Sequence, residues 1–321
     1  MAFISVVIPI FREEAILEEM VARLNAVLEP ISPDHEILFV LDGGKDRSWE
    51  ILARLAARDA RIKAIEFSRN FGQHLAISAG LDACDGDWVV VMDGDLQDRP
   101  EVIPDLVQKA LEGYDVVFVA RRQRKESGLY LALVRMFHWL FQKLSGTHTD
   151  PDIGNFSIIS RQVVENYRGL REELRFYGGI VHWLGFRHAT LPAEQGERFA
   201  GISGYRGWYK RVRLATHIIL AHSERPLYLS AAIGLIMASG SFLIGLYFLL
   251  RALLGDIDVP GWASLMVALF FNTGLILGVL GIIGIYVGKI FGAVKQRPLY
   301  IVARRLGLPP DDPNHPRRAP R

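Results

Sequence analysis

Short apolar runs alternate with amphipathic stretches along the first part of the chain, whereas long uncharged runs fill a later part. Phe3–Pro9, Glu36–Leu41, Ile62–Phe67, Trp88–Met92 and Val116–Ala120 are rich in β-branched and aromatic residues and end in polar ones, which predicts strands. Between them, Ala15–Leu28, Ser48–Arg58 and Glu101–Glu112 carry apolar residues at helical spacing. This alternation predicts an α/β domain built on a mainly parallel sheet. In such a sheet ligands bind beyond the carboxyl ends of the strands. The residues there are Arg12, Glu13 and Glu14, then Asp42, Arg69 and Asn70, then Asp93, Asp95 and Asp98, and finally Arg121 and Arg122.

The later part has a different pattern. Leu229 to Leu250 contains no charged residue and would make roughly 33 Å of helix at about 1.5 Å per residue, enough to cross a bilayer. Ala263 to Gly288 is a second such run, and Gly274, Gly278, Gly281, Gly284 and Gly288 predict close packing of two helices as a hairpin. Arg206, Lys210, Arg211, Arg213 and Arg225 precede the first run, and Lys289, Lys295, Arg297, Arg304 and Arg305 follow the second. The link between the runs carries only Arg251, Asp256 and Asp258. This bias predicts a multi-pass membrane protein with both termini cytoplasmic and the link external. The expected organisation is therefore a cytoplasmic domain over 1–204, an interfacial amphipathic segment over 205–226, two spans within 227–290 (about 229–250 and 263–288) and a cytoplasmic tail over 291–321. Residues 128–146 form another amphipathic pattern, which suits either the headgroup layer or packing on the soluble domain. The tail after Val302, dense in proline and charge, reads as disordered.

Composition narrows the chemistry. The chain has 321 residues, 37 basic against 35 acidic, and one cysteine, so Cys84 excludes disulfides within the chain. A net charge of +2 does not argue for nucleic acid. No Gly-x-Gly-x-x-Gly or Gly-x-x-x-x-Gly-Lys-Ser/Thr loop occurs, which removes the usual marks of dinucleotide redox enzymes and P-loop hydrolases. The chemical signal is Met92-Asp93-Gly94-Asp95-Leu96-Gln97-Asp98. Two carboxylates around a glycine at a strand end suit Mg²⁺ or Mn²⁺, with diphosphate or water oxygens completing the shell.

Taken in order, Val6-Val7-Ile8-Pro9-Ile10-Phe11-Arg12-Glu13-Glu14, Leu41-Asp42-Gly43-Gly44-Lys45-Asp46, Arg69-Asn70-Phe71-Gly72, Asp93-Gly94-Asp95-Leu96-Gln97-Asp98 and Arg198-Phe199-Ala200-Gly201-Ile202-Ser203-Gly204-Tyr205 resemble the motifs of family 2 glycosyltransferases. More narrowly they resemble polyprenyl-phosphate glycosyltransferases of the dolichol-phosphate mannose synthase type, in the bacterial two-span form. Gly284-Ile285-Tyr286-Val287-Gly288-Lys289 and Arg297-Pro298-Leu299-Tyr300 add to the likeness, which reaches from about residue 3 to 302.

The resemblance implies a Rossmann-like, glycosyltransferase A-type nucleotide-sugar domain followed by a two-helix transmembrane hairpin. It implies that Pro9, Phe11, Glu13 and Asp42 cradle the nucleoside of a UDP- or GDP-sugar, and that Asp93, Asp95 and Gln97 hold the metal and diphosphate. Arg121, Arg135 and Arg198 would contact phosphate groups of donor or acceptor, the alternative for Arg121 being a solvated charge beside Arg122 and Arg124. Catalytic roles fall to Asp95, Asn155 and Arg198. The acceptor would be polyprenyl phosphate, undecaprenyl phosphate in a bacterium, and a homo-oligomer is compatible with the chain.

Some positions depart from the family pattern. Leu41-Asp42 replaces a pair of aspartates, Gly44 a serine, Asn155 an aspartate and Gly204 a lysine. An acceptor phosphate is already anionic and needs no base. Asn155 is therefore expected either to orient acceptor phosphate or sugar, or to serve only as a turn residue. Two rival readings remain. A polysaccharide synthase lacks its Gln-x-x-Arg-Trp motif here, and a non-catalytic membrane adaptor would bind a metal–nucleotide complex without transferring sugar.

Overall fold

The computed structural model describes residues 2–121, 153–172, 175–193, 196, 225–254, 262–295 and 297–309. The chain divides into two compact units, one containing the sheet together with the chain from Arg297 onward, the other containing two long helices.

In the first unit, strands and helices follow one another as the apolar pattern predicts. β1 (Ile4–Ile10), β2 (His35–Leu41), β3 (Ile62–Phe67), β4 (Trp88–Val91) and β5 (Val116–Arg121) alternate with α1 (Leu17–Leu28), α2 (Ser48–Ala56), α3 (Gln73–Ala83) and α4 (Ile103–Leu111). Then come β6 (Ile153–Ser160), α5 (Arg161–Gly169), α6 (Tyr177–Trp183) and β7 (His188–Ala193). The eight-stranded sheet has the order β7-β5-β6-β4-β1-β2-β3-β8, where β8 is Val302–Leu306.

The centre of the sheet is parallel. β1 pairs in parallel with both β2 and β4, and β2 with β3. Both faces of β1 and β2 are covered, so these strands read as continuous apolar runs. Ile4, Val6, Ile8 and Ile10 share one core with Leu17, Met20, Leu24 and Leu28 of α1. Val7, Leu38 and Val40 share the other with Ala76, Ile77 and Leu81 of α3.

Three features differ from the sequence reading. β6 runs antiparallel between β4 and β5, so the sheet is mixed on that side. The tail after Val302, expected to be disordered, begins with a strand: β8 pairs antiparallel with β3. Tyr300 stacks on Phe67 with ring centroids 5.0 Å apart and donates its hydroxyl to Asp82 Oδ2 at 2.7 Å. Arg304 pairs with Glu66 and lies 4.6 Å over the Trp49 ring. These contacts outweigh the local polarity of the segment and cover what would otherwise be an open edge of β3.

The third difference concerns the second unit, where α7 (Arg225–Leu253) packs on α8 (Trp262–Val294). Within α8, Phe271–Gly292 is long and apolar enough to cross a membrane and is wholly unburied. The described apolar stretch of α7, Ser230–Ile244, is shorter. A Cβ at Gly274, Gly278, Gly281, Gly284 or Gly288 would meet no atom within 4 Å, so the glycine stripe is not what brings the helices together. The segments 128–146 and 205–222 lie outside the described residues.

One glycine does set a close approach. A Cβ on Gly80 of α3 would lie 2.2 Å from Val7 Cγ1 on β1. Gly80→Ala would gain up to about 1 kcal/mol of helix propensity. Overpacking against a rotamer-restricted valine typically costs about 1–3 kcal/mol and should outweigh it, giving a net loss of up to about 2 kcal/mol in denaturant unfolding of the purified chain.

Candidate active site

The order of the central strands creates a switch point: the chain runs outward from β1 through β2 to β3, then returns to the opposite side of β1 as β4. The carboxyl ends of β1, β2 and β4 therefore open on one crevice.

Asp42 follows β2 directly, and its N–H donates to the Ile10 carbonyl at 2.9 Å, tying together the ends of β1 and β2. Its Oδ1 accepts from the Phe71 N–H at 2.6 Å and its Oδ2 from the Gly72 N–H at 2.9 Å. Burial pushes the Asp42 carboxyl above its ordinary range, and the two backbone donors and the Arg69 charge oppose that rise. The 69–72 turn passes close against Gly43, at φ +67°, where a Cβ would lie 2.2 Å from the Arg69 carbonyl carbon. Arg69 itself lies 3.9 Å over the Phe71 ring.

The Asp-Gly-Asp loop leaves β4 across the end of β1. A Cβ on Gly94 would lie 2.5 Å from Ile10 Cδ1, 2.8 Å from the Pro9 carbonyl oxygen and 2.9 Å from Glu13 Oε2, so only glycine lets the loop pass this close. Leu96 at φ +58° and Arg12 at φ +58° are the non-glycine residues with left-handed backbone among those described. Both lie in strand-end loops bordering the crevice, where such strain is concentrated in functional sites. The loop fastens itself: Asp95 Oδ1 accepts from the Gln97 N–H at 3.1 Å, and Asp98 Oδ2 accepts from the Asp93 N–H at 2.9 Å. Asp95 is 8% exposed and Asp98 7%, whereas Phe11 at the rim is 45% exposed.

Of the residues singled out from the sequence, Pro9, Phe11, Glu13, Asp42, Asp93, Asp95 and Gln97 are placed at these three strand ends. Asn155 of β6 joins them, its Nδ2 donating to Asp93 Oδ1 at 3.2 Å. Arg121 is the last residue of β5, in register with Ala193. Arg135 and Arg198 lie outside the described residues. Gly196 donates its N–H to the Gln97 carbonyl at 2.9 Å, which places position 196 against the Asp-Gly-Asp loop.

Two residues gain roles that the sequence reading did not assign. Asp98 closes the loop, as above. Gln73 donates from Nε2 to Asp93 Oδ1 at 2.6 Å. Its position immediately after Arg69-Asn70-Phe71-Gly72, as the first residue of α3, was the available signal.

Among the described residues no three His, Cys, Asp or Glu side chains gather into a metal cage. The donor set at the loop is two carboxylates and an amide, all oxygen. That is the kind of partial shell Mg²⁺ or Mn²⁺ takes when phosphate oxygens supply the remainder.

Residues 5–168 match the model of glycosyl transferase family 2. The chain belongs to that family. It is a glycosyltransferase, and its sheet is the α/β fold of the glycosyltransferase A type. It is 38% identical over 305 residues to "Uncharacterized glycosyltransferase YkcC" of Bacillus subtilis, covering 95% of this chain and 94% of that one. It is 37% identical over 302 residues to the SfII prophage-derived bactoprenol glucosyl transferase of Shigella flexneri, covering 94% and 97%. A prophage bactoprenol glucosyl transferase homolog of Escherichia coli is 35% identical over 302 residues, covering 94% and 98%.

Behind the crevice, His74 follows Gln73 on α3. Its Nδ1 accepts from the Tyr177 N–H at 3.4 Å, which puts the proton of the neutral ring on Nε2, and its ring meets Phe176 edge-on. Burial lowers its pKa to about 4. An unfolded histidine titrates near 6.5, so the stability contributed by a neutral His74 is complete above that pH and is lost as pH falls toward 4. Melting temperatures recorded from pH 7.5 to 4.5 should fall less steeply for His74→Gln than for the native chain.

Proposed function

We propose that this glycosyltransferase moves one sugar from a UDP- or GDP-sugar to polyprenyl phosphate at the cytoplasmic face of the plasma membrane, with inversion at the anomeric carbon. The observation that carries the reading is the pair Asp93 and Asp95 at the switch point, on a chain alike nearly end to end to proteins named for glucosyl transfer and bactoprenol. The membrane assignment is supported by the unburied apolar run of α8 and the basic flanks around both long helices. Both helices are proposed as spans, with the catalytic domain and both termini cytoplasmic.

Asp42, Pro9, Phe11 and Glu13 bind the nucleoside in this reading. Asp93, Asp95 and Gln97 would hold a Mg²⁺ or Mn²⁺ ion, which supplies Lewis-acid stabilisation of the charge gathering on the departing diphosphate. Arg121, Arg135 and Arg198 are proposed to bind donor and acceptor phosphates through forked hydrogen bonds. The acceptor phosphate attacks as an anion, so no residue need take its proton. Asn155 suits that chemistry: an amide is no base, and beyond the N–H given to Asp93 it has a second N–H and a carbonyl oxygen with which to orient acceptor phosphate or sugar.

Membranes carrying the protein should form a lipid-linked monosaccharide when given polyprenyl phosphate and one member of a panel of labelled UDP- and GDP-sugars. EDTA should abolish the product. Asp95→Asn, correctly inserted, should lower turnover by about 10²-fold or more. Full activity in that variant would overturn the metal assignment, and no product from any donor, with binding of metal and nucleotide intact, would favour the adaptor reading instead.

A further inference from the structure

The tripeptide Phe71-Gly72-Gln73 touches both acidic sites of the crevice. Its first two N–H groups occupy the two oxygens of Asp42, and the Gln73 side chain donates to Asp93 Oδ1 at 2.6 Å. Gly72 makes this arrangement attainable. At φ +106° it turns the chain from the backbone donors of the 69–72 segment into the first residue of α3. A Cβ there would meet nothing within 4 Å, so the requirement is one of backbone conformation rather than space.

Asp93 Oδ1 is approached from two sides, by Gln73 of α3 and by Asn155 of β6 at 3.2 Å. Both donors are neutral amides. They compete for no proton and add no charge beside the carboxylate, whereas an acid at either position would set two like charges at hydrogen-bond distance. Hydrogen bonds to an ionised acceptor are also the stronger kind. Two such bonds, from elements on different sides, fix the rotation of the carboxylate far better than one.

We propose that Gln73 is a positioning residue. With Asn155 it clamps Asp93 in the orientation that the divalent ion and diphosphate require, and through Phe71 and Gly72 it sets the distance between that carboxylate and the nucleoside-binding Asp42. The 71–73 turn is then the strut that makes one rigid donor pocket out of two separate strand ends. The proposal rests on the donor-site reading given above, and it concerns the donor side alone.

The test uses the full purified chain and Mn²⁺ as probe, with binding read from the loss of the free-ion EPR signal in the presence of UDP or of GDP. Gln73 is exposed at the surface, so Gln73→Leu, which keeps the bulk and removes the donor, should leave the melting temperature unchanged. It should weaken Mn²⁺ binding by about tenfold and raise the donor KM by a similar factor, with the acceptor KM unmoved. Gln73→Asn, too short to reach Asp93, should behave as Gln73→Leu does. The combined loss in Gln73→Leu/Asn155→Ala should depart from the product of the single losses, because the two amides act on one carboxylate. Native Mn²⁺ affinity in Gln73→Leu, or single losses that simply multiply, would overturn the proposal while leaving the donor site standing. Absence of Mn²⁺ binding by the native chain with either nucleotide would instead overturn the metal reading and the clamp together.

Discussion

Parallel pairing of β1 with both β2 and β4 is the constraint on which the rest of the first unit depends. It points three carboxyl ends the same way, and at each of those ends the chain must leave an apolar ladder and find partners for its polar groups. The partners come from neighbouring ends: Asp42 bonds to the Ile10 carbonyl, and Gly94 passes against Pro9 and Glu13. The crevice is thus not an appendage to the sheet but the way in which its strands terminate.

Much of this was legible along the chain. The five strands read from apolar runs all form, and Asp42, Asp93 and Asp95 stand where a parallel sheet gathers its ligands. What escaped the reading involved long-range pairing. β6 slots between β4 and β5 because its register is fixed by two distant strands, and nothing local in Ile153–Ser160 announces that insertion. β8 was hidden by the proline and charge that follow it, although Tyr300 and Arg304 find their partners on β3, α2 and α3 once the chain comes back. The glycines of α8 showed the converse: a spacing that signals close helix packing in general faces open space here.

Side-chain direction was equally hidden. Asn155 was noticed because it is not an acid, yet its partner, Asp93, lies 62 positions away and could be named only from the folded chain. Gln73 carried no chemical mark of its own. Its meaning comes from the turn before it, whose backbone is already committed to Asp42. The electrostatic logic of these bonds is economical: a neutral amide or a backbone N–H holds a carboxylate oxygen without itself cancelling the negative charge that a cation needs.

The return of the chain as β8 has a consequence for biosynthesis. During translation the flank of β3 lies bare from the moment the first seven strands emerge until both long apolar helices have been synthesised. The last backbone hydrogen bonds of the catalytic sheet therefore close late, joining segments separated by more than 200 residues in the chain, as Tyr300 and Asp82 are by 218. A ribosome stalled after α8 would leave a nascent chain with its chemistry in place and one side of its sheet unzipped.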